Sequence, residues 1–260
     1  MKTTVITSFH PEAYEQYAKS CLKSFDRWWP AEVPMVVYTE EPVKQTYRAE
    51  QRSLWDIPGI KEFIDDHQDP KFHGIEPLPS WSKKEIRAKY SWRFDAVKFC
   101  RQLFIPEHAA SFLADGDIMV WLDADVISYA EVPGKFIEHL MTDQGLVTIG
   151  RDRGSTDIGF WAIRLSHHAR AFLAKMAEMC RSRTIFNLYE WHSGFVFDHC
   201  YGRFVADGMI THRNLVTGNR SGHVWFDCEV GRYTDHLKGP HRKVLGYSPE
   251  RPGLGARPAR

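Results

Sequence analysis

Two carboxylates one residue apart, Asp123 and Asp125, close the run DGDIMVWLDADV over residues 115–126. Alternate side chains of an extended chain point the same way, so the pair aims two negative charges at one place. Like charges held together repel unless a cation lies between them. The chemistry on offer is divalent-metal binding; the plainer reading has one Asp capping a helix and the other solvated. The five apolar residues in front, 118–122, read as a strand buried on both faces, as in the middle of a parallel sheet. The pair would then stand at the carboxyl end of a central strand, where open α/β sheets bind ligands.

Two further stretches carry side chains able to do chemistry. Residues 233–243, YTDHLKGPHRK, gather His236, Lys238, His241, Arg242 and Lys243 around Gly239. This is either a basic surface loop or a diphosphate site, with a His as metal ligand, a Gly for close backbone approach and cations against phosphate oxygens. Residues 190–198, EWHSGFVFD, set Glu190, His192 and Asp198 among Trp191 and Phe195, as core or as ligand contacts. Asp157 is a candidate for contacting sugar or acceptor, or a solvated loop acid. Arg93 and Lys98 are candidates for contacts to a bound anion, because their segment leads into the carboxylate strand.

The elements that must position these residues follow from periodicity. Residues 4–8 read as a first strand, 12–25 as a helix with apolar positions at helical spacing, and 34–38 as a second strand. This β-α-β opening implies parallel strands with a right-handed crossover. Thr7, Ser8, Phe9 and Glu40 would then face the same rim as Asp123 and are the candidates for holding a base and ribose. Residues 42–80, with five prolines, read as an irregular surface excursion. A long helix is predicted over 82–104, capped by Ser80 or Ser82, with Ile86, Tyr90, Phe94, Val97 and Phe99 on its apolar face. A short helix over 133–141, strands at 146–149 and 158–164, and a helix from Ser166 to Arg181 follow.

Length and composition bound the class. The 260 residues, 43% hydrophobic, suit one α/β domain over 1–247, with a Pro/Gly/Arg-rich flexible tail over 248–260. With 34 basic and 33 acidic residues the net charge is +1, which argues against a generic nucleic-acid binder. The five cysteines are scattered without a C-x-x-C, the pattern of reduced thiols in a cytoplasmic protein. No apolar run approaches a membrane span, and the first residues lack the apolar segment of a signal peptide. There is no G-x-G-x-x-G after the first strand and no G-x-x-x-x-G-K-[ST], so the usual dinucleotide and P-loop readings lose their support.

The apolar strand, the D-x-D in Leu122-Asp123-Ala124-Asp125-Val126 and the late His236-Leu237-Lys238-Gly239 together resemble retaining glycosyltransferases related to glycogenin and bacterial lipopolysaccharide galactosyltransferases. Weaker similarity runs over 93–106 and 156–165. The resemblance implies a GT-A fold, a Rossmann-like domain with a mixed, mainly parallel sheet flanked by helices. It also implies Mn2+ (or Mg2+), a nucleotide-sugar donor such as a UDP-sugar, and an acceptor that could be a glycan, a protein, a small molecule or nucleic acid. In that family both Asp residues and the late His bind the metal, which here are Asp123, Asp125 and His236. A Lys six residues after the His contacts the diphosphate; here that position is Arg242, Lys243 comes one later, and no Pro-Trp follows. Two other classes remain open. A nucleotidyltransferase would also use paired carboxylates and Mg2+, with a Gly-rich phosphate loop that residues 7–11 do not supply. A binding module for nucleotide-sugar or glycan would keep the ligands without turnover.

Overall fold

Alternation along the central strands sorts their side chains into two separate cores. The computed structural model describes residues 1–75, 90–152, 154–217 and 223–251. Its elements run β1 (Thr3–Ser8), a π-helical turn leading into α1 (Lys19–Trp28), β2 (Met35–Thr39), β3 (Glu50–Ser53), α2 (Ile60–Asp66), β4 (His73–Ile75) and β5 (Tyr90–Asp95). They continue as α3 (Ala96–Ala110), β6 (Ile118–Leu122), β7 (Val126–Ser128), α4 (Phe136–Met141), β8 (Leu146–Ile149) and β9 (Asp157–Arg164). The last are α5 (His167–Arg181), α6 (Ser193–Ala206), β10 (His212–Asn214), β11 (Thr234–His236) and α7 (Gly239–Leu245).

A seven-stranded sheet in the order β10-β8-β9-β6-β1-β2-β3 forms the centre. β9 runs antiparallel to both its neighbours, and every other pair is parallel, so the sheet is mixed and mainly parallel. All five residues of β6 are buried, as a strand covered on both faces requires. Ile118, Val120 and Leu122 join a core with Cys21, Leu22 and Phe25 of α1 and with α4. Met119 and Trp121 join the opposite core with α2, α3, α5 and α6. Helices therefore flank the sheet on both sides. Among the described residues no helix is long and apolar enough to cross a membrane.

The chain departs from its sequence reading in three places. Residues 90–95 form β5 rather than helix, and α3 begins only at Ala96. Tyr90, Trp92 and Phe94 alternate at the strand period, while Tyr90, Phe94 and Val97 also fit helical spacing, so the short run satisfies both patterns. The cap decides the boundary: Asp95 Oδ1 accepts from the Lys98 N–H at 3.0 Å and its Oδ2 from the Tyr90 hydroxyl at 2.9 Å. The expected caps Ser80 and Ser82, and Ile86, lie outside the described residues. Within 42–80, β3 adds an edge strand beside β2, and Gly59, at φ 85°, turns the chain into α2, which buries Ile60 and Phe63. Both elements are too short to show periodicity. Finally, the chain is tied down through Arg251: Ser248 donates to Asp235 from its backbone at 2.7 Å and from Oγ at 2.9 Å, and Arg251 donates to the Thr234 carbonyl at 2.8 Å. Residues 252–260 lie outside the described residues.

The α3 cap is testable. Asp95→Ala removes the acceptor for the Lys98 N–H and leaves the Tyr90 hydroxyl unmatched, and should cost about 1–2 kcal/mol in urea denaturation. Asp95→Asn, which keeps a capping oxygen, should cost well under half of that.

Candidate metal centre and active site

The register of a small ribbon sets the geometry of the site. β7 pairs antiparallel with β11 so that His236 lies opposite Val126, directly after the carboxylate pair. The Leu237 N–H donates to the Asp125 carbonyl at 2.9 Å, and the Asp123 N–H donates to the Gly159 carbonyl at 2.8 Å. Asp123 is thereby fastened to β9 and Asp125 to the strand carrying His236. One ligand atom from each of Asp123, Asp125 and His236 lies within 4.8 Å of the others. His236 Nε2 is 3.1 Å from Asp125 Oδ1 and 3.8 Å from Asp123 Oδ2. Ligands held about 2.0–2.3 Å from one ion sit roughly 3–4 Å from one another, so the cluster has the dimensions of a cation site. Carboxylate and imidazole donors suit Mn2+ better than Ca2+, which prefers all-oxygen shells.

The surroundings of His236 fit a metal-bound imidazole. Asp157 Oδ1 lies 3.4 Å behind Nδ1, which closes no hydrogen bond, while Nε2 faces the Asp pair. A carboxylate behind the ring is the usual device for fixing the tautomer of a ligating His. The Trp225 indole meets the ring edge-on at 4.8 Å. Gly159 forms the floor: a Cβ there would come within 2.6 Å of His236 Nδ1.

Charge is unevenly balanced. Asp157 is 2% exposed and its Oδ2 takes Lys238 Nζ and Arg151 Nη2, each at 2.8 Å. Burial alone would raise the Asp157 pKa, but Lys238, His236 and Arg151 hold it well below the ordinary value. Asp125 behaves likewise: burial opposes ionisation, while His236 and Lys243, whose Nζ is 2.8 Å from Oδ2, bring its pKa down. Asp123 receives only neutral donors, Gln102 Nε2 at 2.7 Å and Trp121 Nε1 at 2.8 Å, both on Oδ1. Burial, then repulsion from Asp125, pushes its pKa up to about 6. For His236, burial would lower the pKa, but Asp125 and Asp157 outweigh it and raise the imidazole to about 9.

The other residues singled out from the sequence fall around this centre. Thr7 and Ser8 end β1, each with a buried hydroxyl lacking a partner among the described residues, and Phe9 is buried against Tyr14. Glu40 is engaged by Arg101 and, at 3.5 Å, by His10. Gly239, at φ 80°, opens α7 after Lys238. Lys243 on that helix reaches the carboxylate pair and lies 3.9 Å over the Tyr17 ring. Arg242 turns away, held by Glu250 at 2.8 Å. Arg93 pairs with Glu190 at 3.5 Å, and Glu190 with His192 Nε2 at 2.9 Å. Lys98 is exposed, with Nζ 3.4 Å from the Tyr90 hydroxyl. Asp198 accepts from the Thr156 N–H at 2.8 Å, its other oxygen is buried without a partner among the described residues, and burial raises its pKa. Thus Asp123, Asp125, His236, Asp157 and Lys243 are brought together, while Arg242 and Glu40 are committed elsewhere.

Sequence reasoning passed over Gly159, Gln102, Arg151, Trp225 and the pairing of Lys238 with Asp157. Only Gly159 carried a signal, since a glycine inside a buried strand marks a close approach by another group. A cavity of about 660 Å³ between α5 and α6, lined by Lys175, Glu178, Cys200 and Phe204 among others, contains none of the carboxylate–imidazole residues. Its lining has a single carboxylate, so it offers no comparable chemistry.

No family model matches the sequence, and no curated protein matches it. Among solved structures, the chain is similar to mouse xyloside xylosyltransferase 1 in its apo form, at 9% sequence identity and a TM-score of 0.45, over 83% of this chain and 86% of that one.

Two predictions follow the geometry. Gly159→Ala should weaken Mn2+ binding at least tenfold by calorimetry, because the added methyl displaces His236. The circular dichroism spectrum should be unchanged, since the backbone at Gly159 is not left-handed. The second concerns pH, with Mn2+ chelated throughout. The folded pKa of Asp123 lies above its ordinary 3.8, so its ionisation costs stability progressively as pH rises through about 6. Asp123→Asn should therefore melt a few degrees higher than wild type at pH 7.5, and the gain should vanish below about pH 4. His236, raised from 6.5, contributes stability that is fully present below pH 6.5 and lost as pH rises through about 9. The wild-type melting temperature should fall across that interval.

Proposed function

We propose that the chain is a metal-dependent glycosyltransferase that moves a sugar from a uridine-diphosphate sugar to an acceptor, with retention at the anomeric carbon. The observation carrying this reading is the convergence of Asp123, Asp125 and His236 beyond the carboxyl end of β6, with Lys243 on the other oxygen of Asp125. That constellation matches what a diphosphate leaving group needs: a place where a divalent ion would be held and an ammonium group beside it. Bound there, Mn2+ would supply electrostatic stabilisation of the charge that develops on the departing nucleoside diphosphate.

The chain's own residues take the remaining roles. Asp123, Asp125 and His236 would hold the ion, with His236 Nε2 on the side of the Asp pair and Asp157 Oδ1 3.4 Å behind Nδ1. Lys243, and not Arg242, is the cation for the diphosphate, because Arg242 is already paired with Glu250. The end of β1 receives the base and ribose; the unpartnered hydroxyls of Thr7 and Ser8 support that assignment. Glu190, 13% exposed at its side chain, and Asp198 orient the sugar or acceptor. A sugar leaving with its bonding electrons on the diphosphate passes through an oxocarbenium-like state, which nearby carboxylates stabilise.

The test pairs binding with turnover. Calorimetric titration with uridine diphosphate should show binding in Mn2+ that weakens sharply with chelator, and equal affinity in both would overturn the reading. Asp123→Asn and Asp125→Asn should each lower Mn2+-dependent donor turnover by about a thousandfold while the fold persists. Glu190→Gln and Asp198→Asn should lower transfer with donor affinity retained. Binding without any donor hydrolysis or transfer would instead identify a binding module.

A further inference from the structure

Asp123 is held from behind by a relay that crosses from one helix to another. Gln102 on α3 donates from Nε2 to Asp123 Oδ1 at 2.7 Å, and Trp121 Nε1 donates to the same oxygen at 2.8 Å. On its other side, Gln102 Oε1 accepts from the hydroxyl of Ser193, the first residue of α6 and 1% exposed. The chemistry of the partners fixes every orientation in this chain. An ionised carboxylate only accepts, so the amide must present its NH2 to Asp123. Its carbonyl oxygen then faces Ser193, whose hydroxyl must be the donor. A reversed amide would set two acceptors against each other at Asp123 and leave the Ser193 proton without its acceptor.

Both donors fall on Oδ1, and Oδ2 is the oxygen that faces His236 Nε2, at 3.8 Å. The two oxygens of Asp123 are thus assigned different tasks by neutral groups that add no charge. A bound cation would meet one prepared oxygen, and the side chain could not rotate without breaking two hydrogen bonds. We infer that Gln102, oriented by Ser193, is a positioning residue that holds Asp123 with Oδ2 alone presented to the metal. Gln102 does not touch the ion and acts only through Asp123. This rests on the metal reading given above.

Mn2+ binding to the metal-free full-length chain tests it, by calorimetry and by electron paramagnetic resonance of the free ion. Gln102→Met keeps the volume and helix propensity but removes both hydrogen bonds, and should weaken Mn2+ affinity about 10–100-fold, as loss of such supporting contacts does elsewhere. Ser193→Ala leaves the amide in place but free to turn, and should weaken affinity in the same direction by less. In both variants raised Mn2+ should restore donor turnover toward the wild-type value, which a general packing defect would not allow. Unchanged Mn2+ affinity in Gln102→Met, or in Ser193→Ala should the first variant fail to fold, overturns the inference while leaving the metal reading intact. A wild-type chain that binds Mn2+ neither alone nor with uridine diphosphate overturns both.

Discussion

Repulsion among three carboxylates crowded around one imidazole is the constraint that organises this molecule. Asp125, Asp157 and, slightly farther away, Asp123 all approach the ring of His236. Each of the first two also has a cation of its own, Lys243 on Asp125 and the Lys238–Arg151 pair on Asp157. Asp123 has only an amide and an indole. The consequence is visible in proton affinity, which falls for the two matched acids and rises for the unmatched one. Asp123 is therefore the acid left without a cation of its own, on the side where a divalent ion would supply one. Composition near neutrality hides this entirely, because the imbalance exists only within a few ångströms.

A candidate ligand more than a hundred residues downstream of its partners is only as well placed as the strand that carries it. β11 is three residues long and, among the described residues, pairs only with β7, so its own ladder cannot hold it. What does hold it is burial of the polar groups on its far side. Asp235, fully buried beside His236, accepts from Ser248 twice and faces Arg251 at 3.4 Å. Arg251 in turn donates to the Thr234 carbonyl and the Tyr129 hydroxyl. A buried acid with its partners in place resists displacement, because moving it would strand a charge out of water. The segment after α7, which composition alone marks as loose, thus serves as the clamp for the strand that delivers His236.

How much of this was legible in the sequence follows from which signals are local. β6 and its carboxylate pair could be read because five apolar residues in a row have few alternative fates in a chain this size. α5 could be read because its apolar spacing runs for 15 residues behind a Ser cap. β5 could not, since six residues with aromatics at alternate positions satisfy strand and helix patterns alike until Asp95 settles the boundary. The set Asp123, Asp125 and His236 was reached by resemblance, and its physical basis, the β7–β11 register, is a pairing that no local pattern encodes. Asp157 shows the limit clearly. In sequence it is one acid among many at a strand start, and only the fold puts it behind the imidazole.

Lys243 gives the site a further property that follows from its geometry. Its ammonium lies 2.8 Å from Asp125 Oδ2, while Asp125 Oδ1 faces His236 at 3.1 Å. Both oxygens of the acid are thus already matched, and a divalent ion must compete with these protein cations for them. An incoming ion also repels the ammonium at close range. An anion that draws Lys243 toward itself removes part of that cost and leaves Asp125 open. Linkage then requires the converse, that the ion favours the anion by the same free energy. On the proposed function, metal and diphosphate together would load the site better than metal alone. The ring of Tyr17 beneath the ammonium, 3.9 Å away, stabilises the cation at that position.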